Sequence, residues 1–304
     1  MKKIQTYNNL VWIDFDSPTK DKVRDIMENF SLHPTVAEEL LLPSVRAKAD
    51  LYSNCIYMIL HFPAFGHTNS LDTNQEIDFI IGKDFLITAH YDTVDAIHKF
   101  SKLFETNSIT HSNDMGDHAG YIFYLLIKKL YRSVEHEIEQ FESRLNEIEE
   151  NIFRGKEKEM VEEISVLSRA ILDFKRSLRV HESVLFSLES VGVKFFGSAF
   201  IHQIKKIQSE HFRMYSLVES FLESLKEIRE TNNSMLYTKQ NEVMKILTIM
   251  AFVTFPLSLI ASIFGMNTNF IPFVGREYDF WIVIGIMVFL TAVFFIYFKK
   301  NKWL

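Results

Sequence analysis

The side chains of this sequence best suited to act on a solute are neutral ones. Asn267 carries a carboxamide just beyond nineteen uncharged residues, Ile246 to Phe264, with Gly265-Met266 between. A carboxamide oxygen can accept hydrogen bonds from the water around a solute without bringing a charge of its own. Asn267 also suits the capping of a helix C-terminus beside Gly265. The two roles are compatible, because a cap fixes where the side chain points. Counted inward at helical spacing, Ser262, Ser258, Phe255, Ala251, Leu247 or Thr248, Met244 and Asn241 share one stripe. Ser258 puts a hydroxyl partway along it, and Met244 and Leu247 make its far end apolar.

The charged and titratable candidates lie elsewhere. Glu38 and Glu39 adjoin in a short helix that starts at His33-Pro34. Between Glu135 and Glu163 eleven glutamates face four Lys or Arg, which reads as the wetted side of a helical pair; a cation-concentrating surface is the alternative. His181 and His211 fall on apolar helical seams. A metal ligand or proton relay there would need a partner, and neither has an acid or a histidine on its own seam. Both therefore read as core histidines with one hydrogen bond each. Cys55 is the one cysteine, so no internal disulfide forms, which fits a reducing cytosol. There is no phosphate loop, zinc signature or nucleophile–base pair, so an enzyme is not expected. The net charge of -6 gives no reason to expect nucleic acid.

Two elements must position the stripe and the amide. Ile246–Phe264 and a second uncharged run, Phe280–Phe298, each hold nineteen residues. As helices they are ~28 Å long, close to the ~30 Å hydrocarbon core of a bilayer. Both are apolar all round, unlike a soluble core helix with its polar stripe. Tyr278, Trp281, Tyr297 and Trp303 sit near the run ends, as in an interfacial belt. Lys239 and Lys245 precede the first run, and Lys299, Lys300 and Lys302 follow the second. The connection at 265–279 has only Arg276, beside Glu277 and Asp279. The positive-inside rule then puts both termini in the cytoplasm. The opening residues lack an apolar signal-peptide core, so insertion is expected to rely on the two spans.

Residues 1–115 read as an α/β domain. Strands are expected at Leu10–Phe15, Cys55–Phe62, Glu76–Ile81 and Phe85–Ala89, the last two joined as a hairpin by Gly82-Lys83-Asp84. Helices are expected from Ser17-Pro18, from His33-Pro34 through Leu42, and from Thr93 to Phe104. Residues 116–245 read as long helices. Val134, Ile138, Phe141, Leu145, Ile148 and Ile152 form a heptad seam that Gly155 interrupts. A second seam, from Val161 through Ile164, Leu167, Ile171, Phe174, Leu178, Leu185 and Leu188, runs to Gly192. A third begins near Gly197-Ser198 with Ile204, Ile207, His211, Met214, Val218, Phe221, Leu225 and Ile228. No proline intervenes before Pro256, so one helix is expected to run from Ser198 to Phe264, ~100 Å. The remaining segments are the first span at 246–264, the loop at 265–279, the second span at 280–298 and a basic tail at 299–304.

Gly-Met-Asn at the outer end of the first of two C-terminal spans, followed by a short loop, a second span and a lysine-rich end, resembles the CorA family of divalent-cation channels. Asn241-Glu242-Val243-Met244-Lys245 leads into the span as it does there. Trp12-Ile13-Asp14, and His33-Pro34 with Glu38-Glu39, Arg46 and Lys48, resemble blocks of that family's cytosolic domain. The resemblance implies a CorA-like α+β cytosolic domain, a long helical stalk and two transmembrane helices in a funnel-shaped homopentamer. It further implies an inner-membrane location, with membrane lipid, divalent ions and further copies of the chain as partners. Two spans cannot enclose a pore alone, which fits an oligomer. The first span would then line the pore, Gly265, Met266 and Asn267 would form the selectivity filter, and Met244 and Leu247 a gate that closes by dewetting. For each stripe residue the alternative is packing against the second span, and for Phe255, where the family more often has methionine, that alternative is strong. Mg2+ would be the transported ion and a regulatory one.

Two departures qualify the resemblance. Many members carry Met-Pro-Glu in the outer loop, where this chain has Ile271-Pro272-Phe273 and its acids follow at Glu277 and Asp279. Many members also pair an acid near Glu39 with aspartates on the long helix of the neighbouring subunit to bind regulatory Mg2+. An ungapped count places Lys206 and Ser209 there, with Glu210 and His211 adjacent, so Glu38, Glu39 and Glu210 are the ligands that remain. The expected cargo is Mg2+, with Co2+ or Ni2+ as further ions. A proton-coupled zinc transporter of the same superfamily is the alternative, but that branch tends to carry valine at the position of Met266. A two-span sensor would need a sizeable outer domain or a signalling module, and neither fits here.

Overall fold

A computed structural model of the chain describes residues 2–7, 9–63, 74–92, 94–105, 117–266, 278–301 and 303. It divides into two compact units, Met1–Arg229 and Glu230–Leu304. The first is built on a six-stranded sheet of β1 (Lys2–Tyr7), β2 (Leu10–Asp16), β3 (Lys48–Leu51), β4 (Ile56–Pro63), β5 (Asn74–Ile81) and β6 (Phe85–His90). The strand order is β1-β2-β6-β5-β4-β3. β2 and β6 run parallel, and every other neighbouring pair is antiparallel. Parallel neighbours need a crossover, and α1 (Lys20–Phe30) and α2 (Pro34–Glu39) lie within it.

Alternation along the strands gives the sheet two buried faces. Ile13, Phe15, Tyr57, Ile59, Ile80 and Ile87 pack with Val23 and Ile26 of α1 and Val36 of α2. On the other face Trp12 meets Phe100 and Phe104 of α3 (Asp95–Glu105) edge-on, with ring centroids 5.1 and 5.7 Å apart. Phe79 meets Phe123 of α4 (Gly120–Phe153) in the same way at 5.5 Å. Such pairs add ~0.5–1.5 kcal/mol each beyond the area they bury. Trp12 is held further by its indole N–H, which donates to Thr88 Oγ1 at 3.1 Å.

The helices follow their seams. Val134, Ile138, Phe141, Leu145, Ile148 and Ile152 are all buried on α4. Gly155, at φ 90°, turns the chain into α5 (Glu157–Phe196), and its N–H closes on the Ile152 carbonyl at 3.0 Å. On α5 the seam is buried from Ile164 to Leu188, but Val161 faces solvent and Met160 takes its place. α5 does not end at Gly192. A Cβ on that residue would lie 2.7 Å from Ile204 Cδ1, so the glycine serves close helix packing, and the helix runs on to Gly197. After a 3-10 turn at Ser198–Phe200, α6 spans Ile201–Phe264 without a break, with Pro256 inside it. Within the first unit α6 buries Ile204, Ile207, His211, Met214, Val218 and Leu225.

The second unit holds the rest of α6 and α7 (Asp279–Lys300). Both are long and apolar enough to cross a membrane. Val283, Ile284, Met287, Leu290, Phe294 and Phe298 of α7 recur every three or four residues as its sheltered face. Phe298 meets Phe252 of α6 at 6.4 Å between ring centroids.

Candidate functional site

The C-terminal end of α6 is capped by its own backbone. Gly265 N–H donates to Ala261 O at 2.9 Å and Met266 N–H to Ile263 O at 3.3 Å, so two of the last turn's carbonyls find donors in the chain that follows directly. Met266 is exposed. Asn267 lies outside the described residues, as do Ile271-Pro272-Phe273 and Glu277, and so does the side chain of Asp279.

The stripe read from helical spacing can be compared with the sheltered side of α6. Ile249, Val253, Pro256, Ile260 and Phe264 are half-buried and share the side opposite the stripe. Asn241, Met244, Leu247, Phe255, Ser258 and Ser262 are exposed, and Thr248 and Ala251 half-buried. Phe255 is 74% exposed, so it is not packed against α7. Thr248 Oγ1 donates to Met244 O at 2.8 Å, which ties that hydroxyl to the helix backbone. The unoccupied face of α6 therefore combines apolar residues at its start with serines toward its end.

Glu39 and Glu210 are engaged with cations of the same chain. Glu39 and Lys48 Nζ are 2.7 Å apart, Lys48 also reaches Asp50 at 3.1 Å, and its ammonium lies over the Tyr57 ring at 5.0 Å. Glu210 meets Arg213 at 2.9 Å, and Arg213 also bridges to Glu135 on α4. Lys206 lies over the ring of Tyr124 at 6.0 Å. Lys206, Ser209 and Glu210 line a 210 Å³ groove with Tyr124 and Lys128. Among the described residues no three His, Cys, Asp or Glu side chains converge as a metal site, so one chain does not gather Glu38, Glu39 and Glu210.

The two seam histidines do meet, across seams rather than along one. Their ring centroids are 6.0 Å apart. His181 Nε2 lies 2.9 Å from the His61 carbonyl and so carries the proton; its Nδ1, 2.9 Å from Tyr131 Oη, accepts. Burial holds His181 down to about 3. His211 donates from Nε2 to Leu178 O at 2.7 Å and is also lowered by burial. Both are neutral core histidines, as the sequence reading has them, though His181 makes two hydrogen bonds rather than one.

Sequence reasoning did not find a buried polar group on the α1/α2 side of the sheet, formed by Glu76 and Asp78 of β5, His61 of β4 and Tyr91. One signal was available: Asp78 interrupts the otherwise apolar run Ile77 to Ile81.

Comparison with known proteins follows from this architecture. The CorA-like Mg2+ transporter protein family matches residues 7–300. The cobalt/magnesium transport protein CorA of Thermotoga maritima is 25% identical over 292 residues, covering 93% of this chain and 80% of that protein. The protein of the same name from Methanocaldococcus jannaschii is 23% identical over 299 residues, 97% of this chain and 92% of that one. The complete structure of the CorA magnesium transporter from Methanocaldococcus jannaschii shares the fold, with a TM-score of 0.84 at 21% identity, over 98% of this chain and 93% of that chain.

Proposed function

The chain belongs to the CorA-like Mg2+ transporter family, a family of divalent-cation transporters, and from that premise we propose that it passes hydrated Mg2+ passively through a homopentameric pore lined by α6. Co2+ and Ni2+ are further cargo, the location is the cell inner membrane, and both termini lie in the cytoplasm. The observation that carries this reading is the face of α6 on which Asn241, Met244, Leu247, Phe255, Ser258 and Ser262 are exposed, opposite its sheltered side. Five such faces around an axis would surround the ion with serine hydroxyls toward one end and with Met244 and Leu247 at the other.

In this reading Asn267 rings the outer mouth beside Gly265 and Met266. Its carboxamide oxygens hold the ion through its waters, because Mg2+ pays heavily for dehydration. Neutral ligands keep the ion weakly enough bound to leave, which conduction requires. At the cytoplasmic end Met244 and Leu247 close the path by excluding water. Cytosolic Mg2+ favours closure. Glu38, Glu39 and Glu210 are candidate regulatory ligands, but each of Glu39 and Glu210 already holds a cation of its own chain, which weakens any metal site they could complete. Replacement of Asn267 by alanine tests the filter: Mg2+ uptake into proteoliposomes should be lost while the oligomer keeps its size. Uptake equal to that of the unsubstituted chain would remove Asn267 from the filter.

A further inference from the structure

The connection between α2 and β3 is tied to the sheet at three points, and all three converge on the buried polar group of β5. Ser44 N–H donates to both oxygens of Glu76, at 2.9 and 2.7 Å. His61 Nε2 lies 2.7 Å from the Ser44 carbonyl and 3.4 Å from Glu76. Tyr91 Oη lies 3.2 Å from the Leu40 carbonyl and 3.4 Å from Asp78 Oδ2. Asp78 is 1% exposed and Glu76 9%. Two residues apart on one strand, they point to the same face, and Asp78 is within hydrogen-bond reach of Glu76.

Two ionised carboxylates cannot bond to each other, and burial without compensation would be costly. The available donors decide which of them keeps its charge. Glu76 receives Ser44 N–H twice and faces His61, the one basic side chain in ion-pair range of either carboxyl among the described residues. Asp78 Oδ2 receives Tyr57 Oη at 3.2 Å, but Oδ1 is buried with no donor. That oxygen is explained if it carries a proton and donates it to Glu76.

We propose that Asp78 and Glu76 share one proton, and that this proton fastens the α2–β3 connection, which follows directly on Glu38 and Glu39, to the sheet. With the proton in place Glu76 stays a single buried anion, held by Ser44 and His61. Its loss puts two adjacent anions in an apolar site, and they relieve each other by opening the connection to water. The other titratable groups facing the pair are Tyr57 and His61 on β4, Tyr91 after β6, and the Glu39–Lys48–Asp50 chain beyond the Tyr57 ring. Burial first, and Glu76 second, raise Asp78 well above the usual carboxylate range. The hydrogen bond to Glu76 raises His61. Both groups hold their protons more tightly when folded. Their contributions are therefore complete at low pH and drain away as pH rises through the folded values. The latch opens on the alkaline side.

The test is hydrogen exchange of the Ser44 amide in the full-length chain in nanodiscs, corrected for the intrinsic rate, from pH 5 to 9. Its protection should fall by up to about tenfold per pH unit as pH rises toward the titration of Asp78, and level off above it. Asp78→Asn puts an amide donor in place of the acid at every pH, so it should lose that limb and keep only the slope due to His61. Parallel profiles for the two proteins would overturn the proposal. Infrared spectroscopy of the unsubstituted chain gives a reading that does not depend on the variant folding. A protonated-carboxyl stretch at neutral pH is expected, and its absence would equally overturn the shared proton.

Discussion

Acidification should loosen the first unit through His181, by an amount the structure allows to be worked out. The imidazole is fully enclosed between α4, α5 and β4, with both nitrogens engaged, and is held down to about 3 from 6.5. Unfolded, it binds a proton that the folded site refuses. The stability it lends is therefore complete above pH 6.5 and drains as pH falls toward 3. At pH 5 the unfolded imidazole is about thirtyfold protonated over neutral, which costs the fold roughly 2 kcal/mol relative to pH 8. His211, lowered by burial as well, adds to the slope in the same direction. His181→Gln keeps an acceptor for Tyr131 and a donor for the His61 carbonyl but does not titrate. It should cost stability at pH 8 through lost contact with the Phe62 ring, 4.9 Å away, yet lose roughly 2 kcal/mol less than the unsubstituted chain between pH 8 and pH 5. Urea denaturation in micelles can be followed by Trp12 fluorescence with Trp281 and Trp303 replaced by phenylalanine, leaving the one tryptophan of the first unit. Equal losses in the two proteins would show that His181 is protonated in the folded state and would refute the reasoning.

Two further predictions concern the ion path. Met244→Ser and Leu247→Ser should each wet the apolar end of the α6 stripe and raise basal flux several-fold in single-channel or liposome recordings; currents unchanged in both would exclude them from the gate. Glu39→Ala should shift the Mg2+ concentration for half-closure by less than about threefold, because Glu39 is already paired with Lys48. A shift of tenfold or more would show that a specific regulatory site survives.

How far the sequence could be read depended on how local each signal was. The two spans were legible because nineteen uncharged residues have few other destinations. The β5–β6 hairpin was legible from Gly82-Lys83-Asp84 between apolar runs. β1 and β3 were not, since Lys2–Tyr7 and Lys48–Leu51 are the sheet's outer strands and carry the polar residues that edges need. α1 begins at Lys20 rather than at Ser17-Pro18, because Ser17 adopts φ 50° in the turn before it. α2 ends at Glu39 rather than Leu42, since Pro43 disfavours helical geometry at the residue before it. Gly192 marked only the end of an apolar seam, and the approach of Ile204 from another helix gives it its role. The buried acids escaped notice for the same reason. His61 and Glu76 are fifteen residues apart in sequence and meet through the β4–β5 register that pairs them.

The central claim is passive passage of hydrated Mg2+, and uptake by the purified chain in proteoliposomes tests it most directly. Mg2+, Co2+, Ni2+ and Zn2+ would be compared with and without an imposed pH gradient. The account predicts Mg2+ entry down its own gradient, with Co2+ and Ni2+ also carried and no change when the pH gradient is collapsed. Uptake of Zn2+ in preference to Mg2+, driven by the proton gradient, would contradict it.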